Sequence, residues 1–470
     1  MATNNNNHVT NFKKQDNISI IIVPFPAQGH LNQLLQLSCL ISSHNFPVHY
    51  IGFSIHNRQA KVRANGLDPL ELSRIHFHDI PPPEFASPLP NPNASMKFPE
   101  HLQPSWDATL ALRGPVAEIL QEIASNSRKI ILVHDPLMAY VIQDAQNIPN
   151  AETYIFNCIP AFTVSLSRWE EKGKPSMIDD EITKNLPSWE GCLTEEMFKF
   201  AIKQVEHCNF QAGEIFNSSR LIDGVYLDLM AREELSGTRK IWAIGPILPV
   251  KISNQEPVRK HYCLEWLGKQ PENSVIYVAF GTMTSVSEEE VSELAIGLEQ
   301  SKQRFIWVLR DADKGNIFDK DVRKIELPEG FEERVQDYGI IVRDWAPQLE
   351  ILAHKSTGGF MSHCGWNSCI ESFTMGVPIA AWPMHSDQAM NTVYITQVLK
   401  VGLVAREWAQ REEPVEAGAI AKNVQRLMES PEGDEIRKKA EELGDALRKS
   451  IDEGGVARME SDSFIAHITK

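Results

Sequence analysis

Between Trp345 and Gln388 the chain reads WAPQLEILAHKSTGGFMSHCGWNSCIESFTMGVPIAAWPMHSDQ. An aromatic platform, a glycine turn and a helix start rich in small polar donors come first. A carboxylate one turn further on and a terminal Asp-Gln pair complete the set. In that order these are the groups needed to hold a nucleobase, a diphosphate, a ribose and a hexose. The run from Thr357 to Ser362 predicts a short buried strand, apolar and glycine-bounded. From His363 the chain turns into a helix, which Gly376 ends with Pro378 just beyond. A helix N-terminus presents unpaired N–H groups and about half a positive charge, so a diphosphate sits there readily. Asn367 and Glu371 are four apart and share one helix face. Glu371 is placed to accept from a ribose diol, while Asn367, Ser368 and His363 can donate to phosphate oxygens. Capping in an ordinary βαβ crossover explains one or two such polar residues, not the whole set.

A second constellation lies near the start. The apolar run Ile18 to Val23 predicts a strand, Pro24-Phe25-Pro26-Ala27-Gln28-Gly29 a loop, and His30 the opening of a helix through about Ser43. A free hydroxyl is a poor nucleophile and needs a general base, most often His. Asp135 also follows a strand, Ile130 to Val133, and can accept the other ring N–H of such a histidine, fixing its tautomer. On residue type alone a capping or core histidine is the commoner reading of His30. His134 reads as structural.

These sites need elements to position them. The chain has 470 residues, beyond the usual size of a single hydrophobic core, so two domains are expected. Val48 to Phe53 reads as the second strand of the first domain. Residues 81 to 106, PPPEFASPLPNPNASMKFPEHLQPSW, are too proline-rich for regular structure and make a candidate substrate lid. The alternation restarts later. Ser274 to Phe280 predicts a strand, Ser287-Glu288-Glu289-Glu290 a capping box opening a helix, and Arg304 to Leu309 the next strand. Two strand–helix series imply two doubly wound α/β domains, with ligands in the crevice outside the strand C-termini. The asparagine-rich residues 1–16 read as a disordered tail and 251–261 as a linker, which leaves 17–250 and 262–452 as the domains.

Composition narrows the partners. A net charge of −16 argues against nucleic acid or an anionic membrane. Seven cysteines without C-x-x-C spacing suit a reducing cytosol and form neither a disulfide framework nor a zinc site. The polar N-terminus lacks a signal peptide's apolar core, and no run approaches the ~20 apolar residues of a membrane span. Asp311-Ala312-Asp313 superficially matches a metal-holding D-x-D motif, but it lies in the polar run DADKGNIFDKDVRK, which reads as a solvated loop. His363 and His385 lack ligand partners at usable spacing. No metal is expected.

The stretch ending at Gln388 resembles the plant secondary-product glycosyltransferase box, the signature of the UDP-sugar-dependent family-1 glycosyltransferases. Pro26-Ala27-Gln28-Gly29-His30 is similar to the family's P-x-x-G-H segment, whose His is the base, and Asp135 falls at its partner's position. The resemblance implies the GT-B architecture, two Rossmann-like domains facing a cleft, with acceptor on the N-terminal and nucleotide on the C-terminal domain. It implies a last helix, about 453–470, crossing back to the N-terminal domain. It implies that Trp345, with Ala346 beside it, stacks on uracil and that Gln348 bonds the nucleoside. His363, Asn367, Ser368 and Thr282 would hold phosphates and Glu371 the ribose. Trp366, Asp387 and Gln388 would take the sugar hydroxyls. The co-substrates implied are UDP-glucose and a small hydroxylated acceptor, with no metal or other cofactor, for a cytoplasmic monomer.

For the acceptor, Phe25, Trp106, Met138, Phe162 and Trp189 are apolar candidates near presumed crevice loops, and each can equally be core. The runs PLPNPNASMKFPEHLQPSW, VHDPLMAYVIQDAQNIPNAETYIFN and FNSSRLIDGVYLDLM, with the ending WPMHSDQ, resemble the zeatin O-glucosyltransferase subgroup. That implies glucosylation of a cytokinin hydroxyl, with flavonoids, terpenoids or existing glycosides as alternative acceptors. A sugar-nucleotide-binding protein without turnover is the rival of another class, and His30 with Asp135 speaks against it. A dinucleotide oxidoreductase is disfavoured because no G-x-G-x-x-G follows either opening strand.

Overall fold

The structure, a computed structural model, describes residues 17–64, 66–173, 180–232, 235, 237, 239–248, 261–309 and 325–470. The tail at 1–16, nearly all of the 251–261 linker, and Asp311 and Asp313 lie outside the described residues.

Two parallel sheets form the frame. The first contains β1 (Ile18–Val23), β2 (Val48–Phe53), β3 (Ile75–Ile80), β4 (Lys129–His134), β5 (Ala151–Asn157), β6 (Gly213–Phe216) and β7 (Lys240–Ala243), in the order β3-β2-β1-β4-β5-β6-β7. The second contains β8 (Val275–Ala279), β9 (Arg304–Val308), β10 (Gly339–Val342), β11 (Thr357–Ser362), β12 (Ile379–Ala381) and β13 (Gly402–Val404), in the order β10-β9-β8-β11-β12-β13. Runs such as ISIIIV in β1 are apolar on successive residues because helices cover both faces of a parallel sheet. Each sheet reverses its winding beside its first strand, between β1 and β4 and between β8 and β11. Crevices at such switch points are where doubly wound sheets bind ligands. Register sets Val23 beside His134 in one sheet and Ala279 beside Ser362 in the other, so the loops that follow emerge side by side.

The domains are sewn together by one shared core. Phe162 from the N-terminal domain stacks on Tyr394 at 4.7 Å between ring centroids, with Trp366 and Phe373 in the same cluster. Asp223, fully buried, accepts from the Tyr394 hydroxyl at 2.8 Å and from Ser218 Oγ at 2.6 Å. The last helix, Val456–Ile468, lies on the N-terminal domain: Phe464 and Ile468 join its core, and Glu460 pairs with Arg220 at 2.6 Å.

The proline-rich stretch departs from expectation at its end. Residues 81–99 carry no helix or strand, but Glu100–Leu102 forms a 3₁₀ turn and Gln103–Ala108 a helix. Pro104 stands in the helix's first turn, where its missing N–H costs nothing. No helix among the described residues is long and apolar enough to cross a membrane.

Candidate active site

Between the domains lies a cleft of about 1860 Å³, lined by His30, Thr282, Trp345, Gln348, His363, Glu371, Asp387 and Gln388 among others. The N-terminal switch point supplies a hydrogen-bonded histidine–carboxylate pair. His30 stands in the first turn of helix Gln28–Ser43, and Asp135 follows directly on β4. His30 Nδ1 lies 2.6 Å from Asp135 Oδ2. Asp135 is fully buried; its Oδ1 accepts from Leu137 N at 2.9 Å and its Oδ2 from the Cys158 thiol at 3.5 Å. The carboxylate is thereby locked, and it holds the imidazole with Nε2 as the remaining ring nitrogen of a cleft-lining residue. Burial works against the imidazolium, but the Asp135 charge and hydrogen bond, with Asp387 adding to them, outweigh it and raise the His30 pKa above 6.5. Asp387 belongs to the other domain, so its charge acts on His30 across the cleft.

The C-terminal switch point ends in an uncapped helix start. Helix Trp366–Met375 starts at Gly365 with no side chain capping it, which leaves its first N–H groups open to a ligand. The His363 ring is wedged between two glycines. At Gly281 (φ 79°) a Cβ would come within 2.8 Å of His363 Nε2, and at Gly365 within 2.5 Å. Burial holds His363 down to about 4, so the ring is a neutral donor, and its buried Nδ1 has no partner. Cys364 (φ 65°) and Ser386 (φ 57°) adopt left-handed backbone in the turns after β11 and β12, the kind of strain that surrounding packing must hold at ligand-binding turns.

Beyond the helix start the donors and acceptors fall into sequence. Trp345 is 43% exposed, an open aromatic face at the rim. Gln348 Nε2 donates to Glu371 Oε2 at 2.7 Å and to Ser368 Oγ at 3.1 Å. Burial raises Glu371 to about 7 despite that bond. Ala346 is buried among apolar neighbours and reaches the cleft wall. Thr282 stands in the loop after β8, facing the same space. At the far end Asp387 accepts from Asn391 Nδ2 at 2.7 Å, and burial raises its pKa. Gln388 Oε1 is pinned by two backbone N–H groups, Met384 at 2.9 Å and His385 at 3.1 Å. Gln388 therefore presents its NH₂ as donor while Asp387 presents acceptors.

Several sequence-based assignments are corrected. The Trp366 indole is only 3% exposed and donates to the Asn217 carbonyl at 2.8 Å, so the ring fastens the domains together and leaves only the backbone N–H of this cleft-lining residue for a ligand. Asn367 Nδ2 donates to Gly29 O at 2.9 Å, tying the helix Trp366–Met375 to the turn before His30. None of the five acceptor candidates lines the main cleft. Phe25 and Trp106 pack behind His30, with Phe25 meeting the imidazole edge-on at 5.4 Å; Met138 is fully buried; Phe162 is part of the interdomain stack. Trp189 lines a small separate cavity with Trp169 and Leu186. Apolar residues near strand ends were drawn into the core because nothing polar holds them at the surface.

The sequence also hid a latch. Lys97 Nζ pairs with Glu290 Oε2 at 2.8 Å, both side chains under a tenth exposed, and Phe98 meets His385 edge-on at 5.8 Å. The proline-rich segment thus reaches across to Glu290 and His385 of the C-terminal domain. Glu290 Oε2 also accepts from Ser287 N, the capping box read from sequence, but a partner 193 residues away leaves no local signal.

Comparison with known proteins settles the family. Residues 16–249 match the glycosyltransferase N-terminal domain, and residues 197–410 match the UDP-glucoronosyl and UDP-glucosyl transferases. A zeatin O-glucosyltransferase of Phaseolus lunatus is 52% identical, covering 96% of this chain and 97% of its own. The chain belongs to the plant family-1 UDP-glycosyltransferases, in their zeatin branch. It is a UDP-glycosyltransferase of GT-B fold. A zeatin O-xylosyltransferase of Phaseolus vulgaris is 50% identical over 96% of this chain and 98% of its own. Among solved structures, a Polygonum tinctorium UDP-glucosyltransferase superposes with a TM-score of 0.78 at 26% identity, covering 96% of this chain and 99% of its own. UGT71G1 of Medicago truncatula, complexed with UDP-glucose, superposes with a TM-score of 0.74 at 26% identity, covering 97% and 99%.

Proposed function

We propose that this UDP-glycosyltransferase transfers glucose from UDP-glucose to a hydroxyl of a small plant metabolite, a cytokinin such as zeatin, with inversion at the anomeric carbon. The observation that carries the mechanism is the 2.6 Å His30–Asp135 pair at the cleft, close enough to Asp387 to feel its charge. The acceptor O–H gives its proton to His30 Nε2 as the oxygen attacks the anomeric carbon, and UDP departs from the opposite face. Asp135 stabilises the imidazolium and fixes the tautomer. The departing diphosphate is met by the open N–H groups of helix Trp366–Met375, with His363, Ser368 and Thr282 around it. Trp345 stacks on the uracil, and Gln348 with Glu371 holds the nucleoside and its ribose. The donor set is complete in protein groups, so transfer needs no metal cofactor.

The cytokinin assignment rests on the two zeatin-specific relatives at 52% and 50% identity. Because one is named for glucose and the other for xylose, UDP-xylose is the second donor to test. The decisive assay presents UDP-glucose, UDP-xylose and UDP-galactose with zeatin, flavonols, terpenoid alcohols and glycosides, with mass detection and excess EDTA in a parallel series. O-glucosyl zeatin formed equally with and without EDTA is the expected result. Preference for UDP-galactose, no turnover of zeatin, or collapse restored by Mn²⁺ would each remove the corresponding part of the proposal.

A further inference from the structure

Far from the cleft, at the opposite end of the strands, the edge of the first sheet gathers three imidazoles. His49 lies early in β2, and His76 and His78 lie on the edge strand β3. Register sets His49 opposite His76, and side chains recur on one face every second residue, so all three project from the same side. Further along that face Ile51, Phe53 and Ile80 pack with the helix Arg113–Ser125. At the histidines the cover is incomplete: His76 is exposed, and His49 and His78 are half-buried. His49 Nδ1 is 2.9 Å from His78 Nε2, and the His49 ring stacks on His76 with centroids 5.3 Å apart. Burial, then the neighbouring rings, holds His49 down to about 4, and burial, then His76, lowers His78. These two face each other as neutral imidazoles, the form in which histidine ligates metals.

We propose that His49, His76 and His78 form a binding site for a divalent transition-metal ion of borderline softness, such as Zn²⁺, Cu²⁺ or Ni²⁺. Neutral imidazole is a preferred ligand of these ions, whereas Mg²⁺ and Ca²⁺ want oxygen. Tetrahedral Zn–N bonds of about 2.0–2.1 Å separate two ligand nitrogens by roughly 3.3 Å. The His49–His78 pair needs to open by only about half an ångström to reach that spacing. The metal takes the place of their shared proton, which moves to the other nitrogen of its ring. His76, exposed, supplies the third nitrogen by turning about its own side-chain bonds. Glu122, near the end of helix Arg113–Ser125, is the carboxylate whose charge acts on His78 from that side. Asp79 acts on His78 too but is engaged by Asn57 at 2.7 Å and Lys61 at 3.6 Å. In the active site, His30, Asp135 and Cys158 place ligand atoms within 4.8 Å of one another, a closer grouping than the three histidines have before His76 turns, so an experiment must tell the two apart.

The test is a Cu²⁺ titration of the full chain followed by electron paramagnetic resonance, with Zn²⁺ and Ni²⁺ binding measured by calorimetry. One ion per chain with imidazole-nitrogen hyperfine structure is expected. His49→Ala and His78→Ala should each weaken binding by about tenfold or more, since even outer-shell partners are worth about 10–100-fold in metal affinity. His30→Ala should leave the affinity unchanged. His78→Ala should retain normal glycosyl transfer, which shows that the variant is folded. Binding that survives His49→Ala and His78→Ala, or that disappears in His30→Ala, would overturn the proposal.

Discussion

The two switch points share one geometry and do opposite things. In each, loops leave adjacent parallel strands at their C-terminal ends and a helix begins where they meet. At β1/β4 the loops carry a histidine and a buried carboxylate 2.6 Å apart, which raises the affinity of that histidine for a proton. At β8/β11 they carry glycines around a histidine that burial keeps neutral near 4, beside an uncapped helix start. The same imidazole is drawn toward its protonated form in one place and held neutral in the other because one ring has a carboxylate and the other has none. Gly281 and Gly365 make the second arrangement possible, since a side chain at either would strike the His363 ring.

The largest expected effect comes from breaking the first member. His30→Ala should lower turnover by roughly 10²–10⁴-fold while leaving the affinity for UDP nearly unchanged, since proton transfer is lost and donor binding is not. Asp135→Asn should be milder or comparable. It also has a signature of its own. Turnover requires neutral His30, so the rate rises with pH through the His30 pKa, which Asp135 and Asp387 hold above 6.5. Removing the Asp135 charge should move that inflection to lower pH. An unmoved profile would mean that Asp135 does not act through His30.

Breaking the second member should reverse the pattern. Gly281→Ala forces an L side chain into φ 79° with its Cβ 2.8 Å from His363 Nε2. Strain of roughly 1–3 kcal/mol together with a displaced phosphate donor should weaken UDP binding, with a smaller effect on turnover at saturating donor. Calorimetry with UDP beside a saturation assay checks this. Loss of turnover at unchanged affinity would contradict the division of labour.

Gln388 sharpens the comparison at the sugar. Its carbonyl is held by the Met384 and His385 N–H groups, which leaves the NH₂ as the group it can offer a ligand in the cleft. Gln388→Ala should cost about 1–2 kcal/mol in kcat/KM for UDP-glucose, the scale of leaving a buried polar partner unpaired. Gln388→Glu should be worse, because an acceptor oxygen replaces the NH₂ donor and a second carboxylate is crowded beside Asp387. Equal loss of UDP affinity in both variants would place Gln388 outside the sugar pocket.

What the sequence shows and hides follows from the range of each interaction. Ile18–Val23, Val48–Phe53 and Thr357–Ser362 were legible residue for residue, because apolar runs bounded by turn residues report burial locally. The capping box at Ser287 and Glu290 was legible for the same reason. His30 and Asp135 were readable as strand-end residues, and register brings them together. The fate of the large apolar side chains was not readable. Phe162 and Met138 have the composition of pocket residues and the position of core residues, and only the partner on the far side decides between them. Trp366 and Lys97 were hidden for a related reason, since their partners come from the other domain.

Glu371 provides the smallest and most diagnostic effect. Burial raises its pKa from an ordinary carboxyl's 4.5 to about 7, so in the empty enzyme it is partly protonated at neutral pH. A ribose diol donating two hydrogen bonds favours the carboxylate, so donor binding should expel the proton, and affinity should rise with pH through about 7. His363 and His385, held near 4 and 3 by burial, do not titrate in that window. UDP-glucose is the right probe, because its diphosphate is doubly esterified and stays ionised throughout. Between about pH 6 and 8 the ionised fraction of a group with pKa near 7 climbs roughly tenfold, and that is the ceiling on the affinity gain. Calorimetry in buffers of different ionisation heats reads the proton release directly. Glu371→Gln should flatten the dependence while keeping an acceptor for one hydroxyl. The linkage to folding has the opposite sign: the folded chain binds the proton more tightly than the unfolded one, so Glu371 lowers the stability of the empty protein as pH rises from 4.5 to about 7. An affinity that stays flat across this range in the wild type, or a slope that persists in Glu371→Gln, would remove Glu371 from the ribose and leave Gln348 alone to hold it.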